Sequence, residues 1–219
     1  MPQPVAQMRG GEKKKGVLMV NINISKDSFT AVHILPEFPG DGIVRIRKID
    51  KELPDENTYL KINDVIFHNG IIEADVCGKL LEDAPEYARG FIGIVFRASD
   101  NDSEFESFYI RPTNGRDCTD PVRKAHGCQY FSYPGYTFSY FREFGINAYE
   151  GSVDSIALNE WSHIRAEITD NCGLFFVDGR KVLQVNGLKH GPNSKGAVGL
   201  YVDIGTDGYF RNLEINCTD

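Results

Sequence analysis

The chain has 219 residues, of which 41% are hydrophobic and 25% charged, with a formal net charge of -7. This balance excludes a disordered or fibrous chain, and the length suits one sandwich or barrel domain large enough to bury its own core. An acidic chain also argues against a nucleic-acid partner, because phosphate binding needs a Lys/Arg footprint.

Residues 1–16, with the basic run Lys13-Lys14-Lys15, read as a flexible solvated tail, and residues 17–219 as one domain. The apolar stretch Val17–Val20 is too short for a membrane span or a signal-peptide core. No membrane partner is therefore expected. The chain as written reads as cytoplasmic, or as secreted if a leader has been removed.

Strands and turns dominate from Val17 onward. Val17–Ile24, Ala31–Leu35 and Ile43–Ile49 are β-branched or alternating, and Lys51–Asn57 with Pro54 reads as a polar turn. Val65–His68, Gly70–Cys77, Phe91–Arg97 and Glu106–Arg111 follow as strands. In the C-terminal half, Trp161–Ile168 alternates, with Trp161 expected in the core. Leu174–Val177 and Lys181–Val185 flank Asp178-Gly179, a tight-hairpin pair because both positions accept positive φ. Ala197–Val202 and Tyr209–Ile215 complete the set. No stretch has a convincing helical period. Short, regularly spaced strands indicate a sandwich or barrel.

The segment Pro112–Tyr149 stands apart. Tyr130, Phe131, Tyr133, Tyr136, Phe138, Tyr140, Phe141 and Phe144 crowd around Pro134-Gly135. Some of these rings can fill a lobe of the core. Others, Tyr130 and Tyr133 among them, can stack on a sugar, whose CH groups suit the negative π-face.

Several strands carry a wording that resembles the concanavalin A-like lectin/glucanase superfamily, including its laminin-G-like and bacterial sugar-processing members. The carriers are GIIEADV (70–76), GFIGIVFRASD (90–100), FYIRP (108–112), EWSHIRAEI (160–168), LFFVDGRKVLQV (174–185), GAVGLYV (196–202) and GYFRNLEI (208–215). The resemblance covers about two thirds of the chain. It implies an all-β, two-sheet antiparallel jelly-roll sandwich and a carbohydrate ligand in a groove on the concave sheet. It does not decide between a binding domain, a glycoside hydrolase and a polysaccharide lyase, since one fold hosts many functions. A protein-interaction or structural module of the laminin-G-like kind is the rival, and the oligomeric state is left open.

Strand alternation then nominates a site. It places Glu73, Asp75, Arg97, Tyr109 and Arg111 together on the non-core face of one sheet, with residues 112–150 as the groove wall. Arginines there can grip a polar ligand through charge-assisted hydrogen bonds, and Gly93 would permit a close approach. Glu73 and Asp75 resemble the start of the glucanase Glu-x-Asp motif. Cys77 and Gly78, however, stand where its second Glu belongs, and glycoside hydrolysis usually needs two carboxyl groups. Tyr109 and His126 are candidate acid and base in a lyase-like scheme, with Arg97, Arg111 and Gln129 holding the ligand.

No cofactor is expected. His33, His68, His163 and His190 lack metal spacing, and the five cysteines (Cys77, Cys118, Cys128, Cys172, Cys217) contain no CxxC. A Cys118–Cys128 pairing across a loop stays open. The run Asp100–Glu104 offers hard oxygen ligands for a structural calcium, but an acidic turn accounts for it as well.

Overall fold

The computed structural model describes residues 26–49, 54 and 56–218, and the backbone of residues 17–21. The expected tail at 1–16, the end of the first expected strand and residues 51–53 and 55 of the expected turn at 51–57 lie outside the described residues.

Two antiparallel sheets account for the strands, numbered along the chain. One runs in the order β13 (Arg180–Asn186), β12 (Cys172–Val177), β11 (Ser162–Thr169), β6 (Asn69–Leu80), β15 (Thr206–Thr218), β4 (Ile43–Lys48) and β3 (Ile34–Gly40). Along the same edge as β4, β1 (Val17–Asn21) pairs with the far end of β15. The other sheet runs β10 (Glu150–Gly151), β9 (Cys128–Tyr133), β8 (Phe105–Ile110), β7 (Ile92–Ala98), β14 (Ala197–Val202), β5 (Tyr59–Ile62) and β2 (Phe29–Val32). Among the described residues the α-helices are two short pieces, α1 (Pro121–Lys124) and α2 (Phe138–Glu143).

The first sheet follows its alternation. On β11, Ile164, Ala166 and Ile168 are buried while His163, Arg165 and Glu167 face outward. On β6, Ile72, Ala74 and Val76 are buried opposite Glu73 and Asp75. The β12–β13 hairpin turns at Asp178 (φ 49) and Gly179 (φ 75), as the Asp-Gly pair predicts.

Other expectations are corrected. Ala31–Leu35 is not one strand. The chain takes φ 50 at His33, so Val32 ends β2 in one sheet and Ile34 begins β3 in the other. Val65–His68 forms only a single bridge, Phe67 to Gly196. Trp161 is not in the core; it is 36% exposed, with the Arg211 guanidinium 4.2 Å from its ring centre. Cys118 and Cys128 are both free thiols.

The centre of the second sheet is buried on both faces, and every residue of β7 and β8 is buried. The inner face brings Ile94, Phe108 and Tyr130 into the inter-sheet core, where Phe108 stacks on Phe175 of β12 at 4.6 Å. The outer face carries a second apolar layer that includes Tyr59, Phe105, Tyr109, Phe131 and Tyr201, and Phe141 of α2 belongs to it. A Cβ on Gly93 would lie 2.1 Å from the Phe108 carbonyl oxygen and 2.7 Å from the Tyr109 Cβ. The neighbouring strand itself, not a ligand, makes the close approach at this glycine.

Arg97 ties the sheets together at one end. Its φ of 55 breaks the strand alternation, and the side chain is fully buried. The guanidinium donates to the carbonyls of His68 (3.0 Å), Asp170 (2.8 Å) and Gly191 (3.2 Å), and to Glu106 at 3.4 Å. Glu106 also accepts from the Tyr130 hydroxyl at 2.5 Å. Removing one partner of such a buried pair strands the other charge, at a cost of roughly 3–5 kcal/mol. Arg97→Met is therefore expected to lower unfolding stability by about that amount, read from urea midpoints; an unchanged midpoint would remove Arg97 from this structural role.

Candidate functional site

The single charged face expected from the sequence is divided among three places. β6 pairs with β11 and β15 and not with β7, so Glu73 and Asp75 lie on the outer face of the first sheet. There Glu73 accepts from Arg165 at 2.6 Å, and Asp75 accepts from Asn212 at 2.7 Å with His163 Nδ1 at 2.9 Å. Arg97 is the buried clamp just described. Tyr109, Arg111, Gln129 and His126 come together at one end of the second sheet.

Those four meet because β8 pairs with β9 in a register that sets Tyr109 opposite Gln129. The Tyr109 hydroxyl donates to Gln129 Oε1 at 2.6 Å and accepts from Arg111 Nη2 at 2.9 Å. Arg111 Nη2 also donates to Gln129 Oε1. Arg111 Nη1 donates to Glu150 Oε1 at 2.6 Å and to the His126 carbonyl at 3.1 Å. Glu150, on β10, further accepts from Arg142 at 3.3 Å, and its other oxygen lies 3.0 Å from His126 Nδ1.

Above this network opens a pocket of about 280 Å³. Its rings are Tyr87, Phe91, Tyr109 and Phe138, and its cations are Arg89, Arg111, Arg123 and Arg142. Phe91 meets Tyr109 edge to face at 5.8 Å. The guanidiniums of Arg111 and Arg142 lie 5.5 and 4.9 Å from the Phe138 ring centre, within cation–π range. Asn114 organises one side, donating to the His126 carbonyl at 2.9 Å while its Oδ1 accepts from Arg123 at 3.2 Å. Asp203 is the one carboxylate among the described residues lining the pocket.

The electrostatics follow from this crowding. Burial pushes the Arg89 pKa down, and the nearby charges of Arg123 and Arg111 push it further the same way. Burial also acts to lower Arg111, but Tyr109 and Glu150 outweigh it, so Arg111 is held above its ordinary value. His126 is held below its ordinary value, by burial first and then against the pull of Glu150 by Arg142 and Arg111. At neutral pH the imidazole is therefore uncharged.

Arg89, Arg123, Arg142 and Glu150 are not among the residues that strand alternation or the resemblance nominates, while Phe138 comes from the aromatic run. A weak signal was present, since Arg116, Arg123, Lys124 and Arg142 outnumber Asp117, Asp120 and Glu143 in residues 112–149 of an otherwise acidic chain. Tyr130 points into the core with its hydroxyl on Glu106. Tyr133 stacks on Phe105 at 5.2 Å and lines a separate hollow with Tyr136, Lys189 and His190. In the acidic turn, Asp102 accepts from Lys61 and from the Tyr59 hydroxyl. Among the described residues, no group of three or more His, Cys, Asp or Glu side chains could hold a metal ion.

Two face-packed antiparallel sheets with this strand order define a concanavalin A-like jelly-roll sandwich. Many solved structures share the fold, three of them as follows. A galectin-like protein of unknown function from Bacillus subtilis superimposes with a TM-score of 0.61 at 13% identity, covering 94% of this chain and 98% of that one. The carbohydrate-binding module CBM66 from Bacillus subtilis gives 0.58 at 15% identity, over 85% and 93%. The Bacillus licheniformis β-glucanase gives 0.51 at 10% identity, over 94% and 100%. No protein-family model and no curated protein sequence matches the chain.

Outside the pocket, Asp75 has a testable electrostatic role. Partial burial acts to raise its pKa, but hydrogen bonds from His163, Asn212 and Arg211 overcome this and hold it below the ordinary 3.8. A depressed folded-state pKa adds stability above the unfolded value, and that stability is lost as pH falls through the folded one. Asp75→Asn is accordingly expected to melt lower than the parent at pH 7, with the gap narrowing once pH drops below 3.8. Melting curves across pH check this, and a gap that stays constant into acid would show that the carboxylate charge contributes nothing.

Proposed function

We propose that this chain is a carbohydrate-interacting domain that binds a glycan unit in the pocket between Phe91, Phe138 and Arg111. The carrying observation is the pairing of aromatic rings with fixed guanidiniums in one concave site on the outer side of the second sheet. Rings offer a flat apolar surface to the CH face of a sugar, while arginines donate to its oxygens. At about 280 Å³ the pocket lies near the lower end of the roughly 300–1,000 Å³ range of small-ligand sites, which suits a short glycan unit. The fold lends support, since one similar structure is a carbohydrate-binding module and another a β-glucanase.

Binding without hydrolysis fits the chemistry better than cleavage. Asp203 is the only carboxylate among the described lining residues, and Glu150 behind them is held by Arg111 and Arg142. Glycosidases generally use two carboxyl groups that face the scissile bond. A catalytic reading is favoured by one observation, that Tyr109 and His126 line the same pocket beside Arg111. Against it, the Tyr109 hydroxyl is already engaged by Gln129 and Arg111.

A glycan screen on the full chain, read both by calorimetric binding and by product release, tests the assignment. Binding without product is expected. Phe138→Ala should weaken that binding about tenfold, in line with roughly 0.5–1.5 kcal/mol for an aromatic contact. Its melting temperature should change little, because Phe138 is 36% exposed. Product release would establish an enzyme, and silence in both channels would favour the protein-interaction alternative.

A further inference from the structure

Among the described residues, the charge of the pocket does not balance. Four guanidiniums, those of Arg89, Arg111, Arg123 and Arg142, line it, in a chain whose formal net charge is -7. Glu150 is the carboxylate that answers Arg111 and Arg142. Asp203 lies 3.7 Å from Lys48, so its charge is shared with another cation. Among the described residues, Arg89 and Arg123 hydrogen-bond only to neutral groups, and the Glu86 carboxylate acts on Arg89 through space less strongly than Arg123 and Arg111 do. Arg89 donates through Nη1 to the carbonyls of Glu86 (2.7 Å) and Ala88 (2.8 Å). Arg123 donates to Asn114 Oδ1 and to the hydroxyl and carbonyl of Thr113.

These neutral contacts fix the two guanidiniums in place without neutralising them. Backbone carbonyls and a side-chain amide orient a cation but leave its charge to act on whatever enters the pocket. Cations that crowd one another at a partly buried site are relieved by an anion, and arginine is the side chain whose planar fork suits anionic oxygens. The field of Arg123 and Arg111 on Arg89 has the sign such crowding gives.

Resting on the glycan-pocket assignment above, we propose that the sugar recognised here carries an anionic oxygen group, a carboxylate or a sulfate ester, read by Arg89 and Arg123. The rings of Phe91 and Phe138 take the apolar face of the same unit, and Arg111, held by Glu150 and Gln129, shapes the pocket wall.

The test is calorimetric titration of the full chain with four probe sets. These are oligouronates, the methyl esters of the same oligouronates, sulfated galactan oligosaccharides and neutral glycans. Methyl esterification removes the charge while keeping the sugar backbone. At least one acidic set should bind tenfold or more tighter than its uncharged counterpart, with the gap shrinking as salt is raised. Preference for oligouronates identifies the group as a carboxylate, and preference for the sulfated set as a sulfate ester. Arg89→Gln and Arg123→Gln should each erase most of the preference, read as the ratio of acid to ester affinity, whatever either change does to the two affinities together. If a variant fails to fold, the ester comparison and the salt series on the parent still decide. Esters or neutral glycans binding as tightly as the acidic ones would overturn the anion inference and leave the glycan pocket standing. Silence from all four sets would overturn both.

Discussion

The organising constraint is that the centre of the second sheet is buried on both faces. A strand with one wet face announces itself by alternating polarity, whereas β7 and β8 have no wet face. The inner face packs on the first sheet, and the outer face carries a layer of rings that includes Tyr59, Phe105, Phe131 and Tyr201. With the middle of that outer face occupied by the protein's own rings, the opening lies toward the end of the sheet, where β8 finishes. Tyr109 and Arg111 sit there, at the boundary between the ring layer and the pocket.

Burial of Arg111 then dictates its surroundings. A guanidinium removed from water needs both charge compensation and hydrogen-bond acceptors. Glu150 supplies the charge, and Gln129, Tyr109 and the His126 carbonyl supply the remaining acceptors. Because Glu150 also reaches Arg142 and His126, one buried carboxylate fixes three cationic or ionisable groups around the pocket. Arg123 is fixed differently, through the neutral Asn114 and Thr113, with no carboxylate hydrogen-bonded to it among the described residues. Rigid placement with uneven compensation is what gives this site its chemical character.

The sequence was legible wherever one face of a strand is wet. Ile164, Ala166 and Ile168, against His163, Arg165 and Glu167, declare the face of β11, and Asp178-Gly179 declares its hairpin neighbours. It was misleading where that condition fails. Cys128–Tyr133 reads as a dense aromatic run, yet it is a strand between two apolar layers. Arg97 belongs by alternation with Val95 on the outer face, yet a single left-handed residue turns it into the sandwich end. His33 does the same to the chain path, moving it from one sheet to the other.

Gln129 and His126 were nominated through the family resemblance. By itself the sequence determined the all-β class, the faces of the half-exposed strands and the nomination of Tyr109 and Arg111 by alternation. Those features depend on local periodicity and turn chemistry, which are written residue by residue. Only the tertiary structure decided that Glu73 and Asp75 lie on a different sheet from Tyr109 and Arg111, because strand pairing across long separations sets sheet membership and alternation within a strand does not. It also brought Arg89, from before β7, beside Arg123 and Arg142, from after β8. Their convergence comes from packing of segments distant along the chain, and no spacing in the sequence encodes it.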